Sequence, residues 1–266
     1  MPRVYTYGPF RSRRLGLSLG INVLPNYKLC TFNCVYCEIG ITEEGNLVSP
    51  EFRINLPPST VFRKELTSIL TQVPHLDSIT FGYNGEPTLN GNLLDFLNIA
   101  IDVRNKLNWT KEKPKLTLFT NSSTLYFDDI RKRVGQFEFV LAKLDAATSV
   151  DLKRTNRPHL NSQDIELIIS SLVKLRLEMP ENHELAIQTL LFNSYKEDFI
   201  PNNNLQNLNK LGHAIKRIKP NFVQIYSTAR IPAEYYVYSI DKSRREEIAK
   251  YLEDLIQDKS IKINVY

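Results

Sequence analysis

Six short runs of apolar and often β-branched residues recur along the chain, and polar segments separate them. Runs of this length and composition are typical of strands that are buried on both faces of a sheet. They lie at about 18–24, 78–83, 115–120, 137–144, 184–191 and 222–227. The pattern therefore predicts six buried strands.

Apolar residues recur at helical spacing in the segments between these runs. The predicted helices are about 60–70 after a Pro-Pro-Ser-Thr start, 93–101 after Asn92, 164–178 with Asp164 as the cap, 203–217 and 241–257. One further strand is predicted at 261–265. Strands that alternate with helices are parallel and form either a barrel or an open doubly wound sheet. Six such units favour a partial (β/α)6 TIM-like barrel.

One connection is longer than a usual loop between a strand and a helix. It covers about 25–60, between the first two predicted strands. Long connections of this kind are commonly functional. No Gly/Ser-rich linker or low-complexity segment interrupts the chain, so we predict one domain over residues 1–266, in which 241–266 form the C-terminal helix and strand.

Composition excludes several classes of protein. Of 266 residues, 42% are hydrophobic and 24% are charged, which is enough apolar side chain for a core and excludes a wholly disordered chain. No stretch reaches the roughly 18 apolar residues that a membrane span needs, and the start lacks the apolar run of a secretory signal. We expect a cytoplasmic protein without a membrane partner.

The formal net charge is +5, and basic residues concentrate before residue 40. Because Arg11, Arg13 and Arg14 precede the long connection, we expect them to face an anionic part of a substrate or partner. A solvated basic surface is the alternative. The charge alone does not identify a nucleic-acid-binding protein, and RNA stays among the partners considered.

The three cysteines of the chain, Cys30, Cys34 and Cys37, all fall in the long connection with the spacing C-x3-C-x2-C. An odd number of cysteines in a chain without a signal argues against disulfides. Three thiolates can ligate three irons of a 4Fe-4S cluster, which leaves the fourth iron open to a chelating cofactor. Structural zinc is the alternative, and it needs a fourth ligand. The histidines that could supply this ligand are His75, His159, His183 and His213.

The cysteine spacing resembles that of the radical S-adenosylmethionine superfamily, whose members usually carry an aromatic residue just before the third cysteine. Tyr36 occupies that place. The segment 81–88, Phe-Gly-Tyr-Asn-Gly-Glu-Pro-Thr, is similar to the superfamily's Gly-Gly-Glu motif, with Asn84 in place of the first glycine. The resemblance implies that the open iron binds S-adenosyl-L-methionine and that Gly85 and Glu86 hold its amino group. A carboxylate beside an ammonium forms a charge-assisted hydrogen bond, and glycine permits close backbone approach.

Polar residues end the other predicted strands, where the chemistry of (β/α) barrels collects. In the superfamily, the third and fourth strand ends contact the ribose and methionine portions of the cofactor. The strand-end residues that this resemblance assigns to the cofactor, in addition to Tyr36, are Asn121 or Ser122 for the hydroxyls, Lys143 or Asp145 for polar contacts, and Gln188. Each has an alternative structural role as a helix cap, and Glu86 has one as a turn carboxylate before Pro87.

Most of the chain resembles the branch of the superfamily that is related to wyosine-tRNA synthases. The segments that carry this resemblance are Ser12–Gly16, Gly85–Thr88, Lys143–Ala146 and Asn156–His159. Those synthases hold a second iron–sulfur cluster with its own cysteines, and this chain has three cysteines in total. The resemblance therefore does not by itself imply the tRNA reaction.

The resemblance implies an enzyme with one 4Fe-4S cluster that cleaves S-adenosylmethionine reductively to a 5′-deoxyadenosyl radical, which abstracts hydrogen from a substrate. An electron donor such as ferredoxin or flavodoxin then docks near the cysteines. A nucleic acid base, a protein and a small metabolite are all retained as substrates, and no catalytic acid or base is identified. The alternative is a non-catalytic iron–sulfur or zinc-binding module.

Overall fold

The computed structural model describes residues 3–73 and 75–266, in which ten strands and seven α-helices follow one another. The strands are β1 (Thr6–Ser12), β2 (Gly16–Ile21), β3 (Ser78–Phe81), β4 (Lys115–Thr120), β5 (Phe139–Lys143), β6 (Glu184–Leu190), β7 (Phe192–Ser194), β8 (Phe222–Tyr226), β9 (Val237–Ser239) and β10 (Lys262–Val265). The helices are α1 (Thr60–Gln72), α2 (Leu93–Asn105), α3 (Asp128–Val134), α4 (Ser149–Thr155), α5 (Ile165–Glu178), α6 (Leu205–Ile218) and α7 (Lys242–Ile256). Among the described helices, none combines the length and the apolar character needed to cross a bilayer.

Eight strands form one sheet in the order β1-β2-β3-β4-β5-β6-β8-β10. All neighbours from β2 to β10 are parallel, and β1 joins β2 in antiparallel register. Helices connect the successive parallel strands, as parallel pairing requires. Strands β7 and β9 form a separate antiparallel pair. The predicted α/β class with a partial parallel barrel is confirmed, and the barrel is open between β1 and β10.

The six predicted strands correspond to β2, β3, β4, β5, β6 and β8, and the further predicted strand is β10. The first ends at Ile21, earlier than predicted, because the Asn22 side chain turns the backbone: its Nδ2 donates to the Leu24 carbonyl at 2.9 Å and its Oδ1 accepts from the Leu24 N–H at 3.2 Å. The predicted cap is present, since Asp164 accepts from the Leu167 N–H at 3.1 Å. Strand β1 and the seven-residue helices α3 and α4 were not predicted.

Alternate side chains of the strands point into two different apolar regions, one on each face of the sheet. On β5, Val140 and Ala142 belong to the main core beneath the helices, whereas Phe139 and Leu141 point to the barrel interior. The interior layer is completed by Leu15 and Ala186. Burial of each large apolar side chain contributes about 1.5–3 kcal/mol, so the helix layer holds the sheet in its curved shape.

Polar side chains occupy the rest of the interior. Near the amino ends of the strands, Ser18 and Ser78 each lie 2.7 Å from the Thr80 hydroxyl. Towards the carboxyl ends, the Gln188 amide donates to Gln224 Oε1 at 2.8 Å. Burial of a polar group is costly unless the group is hydrogen-bonded. These pairs therefore reduce the cost of a polar barrel interior.

The structure corrects the expected position of the three arginines near the start of the chain. Arg11 is the penultimate residue of β1 and pairs with Leu17, while Arg13 and Arg14 lie in the turn before β2. This turn is at the amino end of β2, and the cysteines follow its carboxyl end, so the two groups lie at opposite ends of the barrel. Arg11 and Arg13 are exposed, whereas Arg14 reaches inward. A role of these residues towards an anion stays a prediction.

Candidate active site

The cysteines lie in the connection after β2, and backbone hydrogen bonds hold this loop on two sides. On one side, Cys30 N–H donates to the Asn46 carbonyl at 3.1 Å. On the other, Val35 N–H donates to the Thr155 carbonyl at 3.0 Å, and further bonds join the loop to residues 156–159. We call residues 155–159 the clamp segment. The cysteines are therefore fixed between a later part of the same connection and the clamp segment, which is far away in sequence.

Gly85 is where the loop meets the 81–88 motif. Leu29 and Gly85 form a parallel bridge in which Leu29 N–H donates to the Asn84 carbonyl at 2.8 Å and Glu86 N–H donates to the Leu29 carbonyl at 3.0 Å. Gly85 has φ +130°, and a Cβ there would lie 1.8 Å from the Leu29 oxygen. The close backbone approach that glycine permits is thus to the residue before Cys30.

Two asparagine amides contact the cysteine sulfurs. Asn121 Nδ2 lies 3.4 Å from Cys30 Sγ, and Asn156 Nδ2 lies 3.5 Å from Cys34 Sγ. Burial raises the pKa of Cys30 to about 12 and that of Cys34 to about 11, and a neighbouring cysteine is the next cause in both. Thiols this close and this buried lose their protons readily only when a cation compensates the charge.

Across residues 3–73 and 75–266, no three His, Cys, Asp or Glu side chains are placed so that they could hold a metal ion. A mononuclear zinc site needs ligands that converge on one point, and no histidine completes such a group with the cysteines. A cubane differs because each thiolate binds a separate iron, so its ligands surround a volume. Three adjacent thiols with amide donors at two of the sulfurs fit the second kind of site.

Glu86 is 1% exposed. Its Oε1 accepts from the Thr88 N–H, the Thr88 hydroxyl and the Thr120 hydroxyl, and its Oε2 accepts from the Asn121 N–H at 2.5 Å. The turn role before Pro87 is confirmed. Burial raises the pKa of Glu86 and outweighs these hydrogen bonds, which lower it. No basic side chain in the described chain forms an ion pair with Glu86, and Oε2 keeps capacity for a second donor.

The two residues proposed for the cofactor hydroxyls have different surroundings. Ser122 is 1% exposed, and its hydroxyl donates to the Lys143 carbonyl at 2.9 Å. Asn121 is partly exposed and connects the motif to the cysteines, since its backbone N–H bonds Glu86 while its amide contacts Cys30. Of the pair, Asn121 is therefore the one that a bound molecule can reach.

Lys143 and Asp145 form the next strand end. Lys143 Nζ lies 3.1 Å from Asp145 Oδ1 and donates to the Tyr226 hydroxyl at 2.7 Å, while its side chain is 20% exposed. Burial lowers the pKa of Lys143, but Asp145 and Tyr226 outweigh burial, and the net shift is upward. Asp145 is buried, and it also accepts from the Leu190 N–H at 2.7 Å and from the Tyr36 hydroxyl. Asp145 and Tyr226 thus fix the position of the Lys143 ammonium, which stays partly exposed to the site.

The remaining predicted residues lie behind these. Tyr36 is buried with its hydroxyl on Asp145, and Gln188 is buried against Gln224. Sequence reasoning assigned no role to Asn156, whose amide contacts Cys34, Tyr36 and Asp145. The signal was present, because Asn156 opens one of the segments that carried the family resemblance.

No family model matches the chain. UPF0026 protein MJ1312 of Methanocaldococcus jannaschii is 29% identical over 235 residues, which are 87% of this chain and 65% of that relative. UPF0026 protein slr1464 of Synechocystis is 30% identical over 225 residues, which are 84% of this chain and 75% of that relative. The chain belongs to the UPF0026 family. The match spans 65% of the length of MJ1312. The activity of the whole protein is therefore proposed below.

Solved structures similar to this UPF0026 chain include SuiB and TYW1, which are radical S-adenosylmethionine enzymes. Streptococcus suis SuiB bound to S-adenosylmethionine aligns with a TM-score of 0.61 at 13% identity, covering 93% of this chain and 50% of SuiB. TYW1 with a lysine-pyruvate adduct aligns with a TM-score of 0.59 at 16% identity, covering 89% of this chain and 73% of TYW1. At these identities the similarity shows the fold. The resemblance to the superfamily is confirmed at that level.

Proposed function

We propose that this UPF0026 protein is a radical S-adenosylmethionine enzyme whose cluster is held by Cys30, Cys34 and Cys37. When bound, the 4Fe-4S cluster supplies the electron that cleaves S-adenosylmethionine to methionine and a 5′-deoxyadenosyl radical for hydrogen abstraction from the substrate. The observation that carries the proposal is the direct attachment of the three-cysteine loop to Glu86, a buried carboxylate without a basic partner.

Glu86 supports the proposal through its charge. A buried carboxylate is costly unless a cation or several donors compensate it. In the described chain Glu86 accepts several hydrogen bonds but forms no ion pair in direct contact, and the α-ammonium of S-adenosylmethionine would supply a cation at Oε2. The turn role and the cofactor role therefore use different oxygens of the same side chain.

We infer that Asn121 contacts the cofactor hydroxyls and that Lys143 contacts its polar groups, and the partial exposure of both side chains supports this. We infer that Ser122, Asp145 and Gln188 act as positioning residues, since they are buried and their polar atoms bond neighbouring strand ends. Tyr36 links Asp145 to the cysteine loop. An electron donor such as ferredoxin or flavodoxin would dock beside this loop, where Ile39 and Ile41 are exposed.

Anaerobic reconstitution tests the proposal. We expect about four irons and four sulfides per chain, because three thiolates hold one cubane and the chain has no fourth cysteine. With dithionite as reductant, 5′-deoxyadenosine should form from S-adenosylmethionine, and the spectrum of the reduced cluster should change when the cofactor is added. Cys34→Ala should abolish cleavage.

Arg13→Gln is a matched control, since this exposed residue lies at the opposite end of the barrel. It should retain the metal content and cleavage of the parent. One tightly bound zinc per chain, together with no cleavage under strong reductant, would overturn the proposal in favour of a non-catalytic metal-binding module.

A further inference from the structure

A cavity of about 420 Å³ opens at the amino end of the barrel, away from the cysteines. We propose that this cavity binds the phosphate group of a small molecule. The inference does not rest on the proposed radical chemistry, because no residue of the cavity belongs to the candidate active site.

Arg14 is the central observation. Arg14 lines the cavity, its guanidinium carbon lies 4.0 Å from the centre of the Tyr226 ring, and its Nη1 is buried without a hydrogen-bond partner. No described carboxylate forms an ion pair with it. Leaving a charged donor buried and unpaired is unfavourable, and a phosphate oxygen would pair it. The planar guanidinium matches phosphate geometry with two parallel hydrogen bonds.

The rest of the wall has an excess of positive charge. Lys111, Lys113 and Lys115 line it beside two carboxylates, Asp77 and Glu112. Asp77 has a structural role, since its Oδ2 accepts from the Leu17 N–H at 2.6 Å. Lys115 is paired with Glu184, so the net attraction for an anion comes from Arg14 and the other two lysines. These three cations exceed the carboxylates Asp77 and Glu112 by one charge, which favours an anion such as phosphate.

The size and the apolar part of the cavity indicate more than an inorganic ion. A volume of about 420 Å³ is within the range of small-molecule sites, and Leu15, Leu76 and Phe139 add apolar wall to the charged rim. The ligand class is therefore a phosphorylated small molecule whose apolar portion packs on these side chains.

An apolar layer separates this cavity from the candidate active site. Leu141 lies two residues beyond Phe139 on β5 and is fully buried, and Lys143 follows two residues later. At about 3.3 Å per residue, Phe139 and Lys143 are roughly 13 Å apart along the strand. The Tyr226 ring bypasses this layer and connects the two regions, because its centre lies 4.0 Å from the Arg14 guanidinium carbon and 5.0 Å from Lys143 Nζ. Phosphate binding would thus adjoin the active site without entering it.

Calorimetric titration of the anaerobically purified full chain with inorganic phosphate, at constant ionic strength, tests the inference. Saturable binding is expected, and Arg14→Gln should weaken it by about tenfold or more because it removes a charged hydrogen-bond donor. The single tryptophan, Trp109, lies two residues before Lys111 and provides a second, local signal through its fluorescence. Cluster content and cofactor cleavage are measured separately, so failure here leaves the proposed function untouched.

Arg13→Gln is the control, since it removes the same charge one residue away and outside the cavity. It should bind phosphate as the parent does. Arg14→Lys keeps the charge and should bind several-fold more weakly than the parent, which keeps the test decisive if Arg14→Gln does not fold. Equal affinity of the parent and either Arg14 variant, equal affinity for acetate and phosphate, or no saturable binding would each overturn the inference.

Discussion

Gly85→Ala should destabilise the protein more than any ordinary glycine substitution. Gly85 has φ +130°, and the new methyl would lie 1.8 Å from the Leu29 carbonyl oxygen, which is a backbone atom with no rotamer to change. Relief requires that the 84–86 backbone and Leu29 move apart by more than 1 Å, since ordinary contacts begin at about 3.4 Å.

The magnitude follows from three contributions. A positive φ costs an alanine about 1 kcal/mol more than a glycine. Forced displacement of packed backbone costs roughly 1–3 kcal/mol. Weakening the two hydrogen bonds between Leu29 and the 84–86 backbone costs about 1 kcal/mol each at most. We therefore expect the free energy of unfolding to fall by about 2–6 kcal/mol, a large fraction of the stability of a typical domain.

Urea unfolding followed by circular dichroism measures this loss, and iron content after reconstitution measures whether the cysteine loop keeps its place. Gly40→Ala is the matched control, because Gly40 has φ +92° but no atom within 4 Å of its Cβ position. It should lose only about 1 kcal/mol, which is the positive-φ contribution alone. If the two variants were equally stable, the contact with Leu29 would not be the cause and the reasoning would be refuted.

Glu86→Gln should leave iron content unchanged but weaken S-adenosylmethionine binding about tenfold or more, since it removes a charged acceptor; calorimetry that finds equal affinity would contradict the cofactor role. Asn156→Leu should make the reduction potential of the cluster more negative, because an N–H donor to Cys34 is lost; spectroelectrochemical titration decides. Burial raises the pKa of Glu65, but hydrogen bonds from Thr6, Val4 and Tyr5 outweigh it and lower the pKa below 4.5. Glu65→Gln should therefore cost about 1 kcal/mol at pH 7, and this difference should disappear as the pH falls through the lowered pKa.

The buried strands could be predicted from the sequence because burial on both faces leaves a continuous apolar run. Strand β1 could not, since it is an edge strand with mostly half-buried or exposed residues and contains Pro9. Helices α3 and α4 have seven residues each, which is too short for a clear helical period. The two-stranded sheet was missed because three-residue strands carry no alternation.

The cysteines were identifiable because their spacing is a property of one short segment. The partners of these cysteines depend on tertiary structure: Asn156 reaches Cys34 only through the clamp segment. Arg14 shows that proximity in sequence can also mislead. Sequence order placed it near the cysteines, but the hairpin between β1 and β2 directs it into the other end of the barrel.

The clamp segment also sets an order of events during translation. Cys34 is synthesised 122 residues before Asn156, and at about 5–20 residues per second the ribosome needs roughly 6–24 s to cover that distance. During this interval the nascent thiols lack the backbone and amide partners that later enclose them. Under the proposed function, delivery of iron and sulfide would therefore follow the release of the chain beyond β5 from the ribosome, and the three neighbouring thiols would have to stay reduced until then.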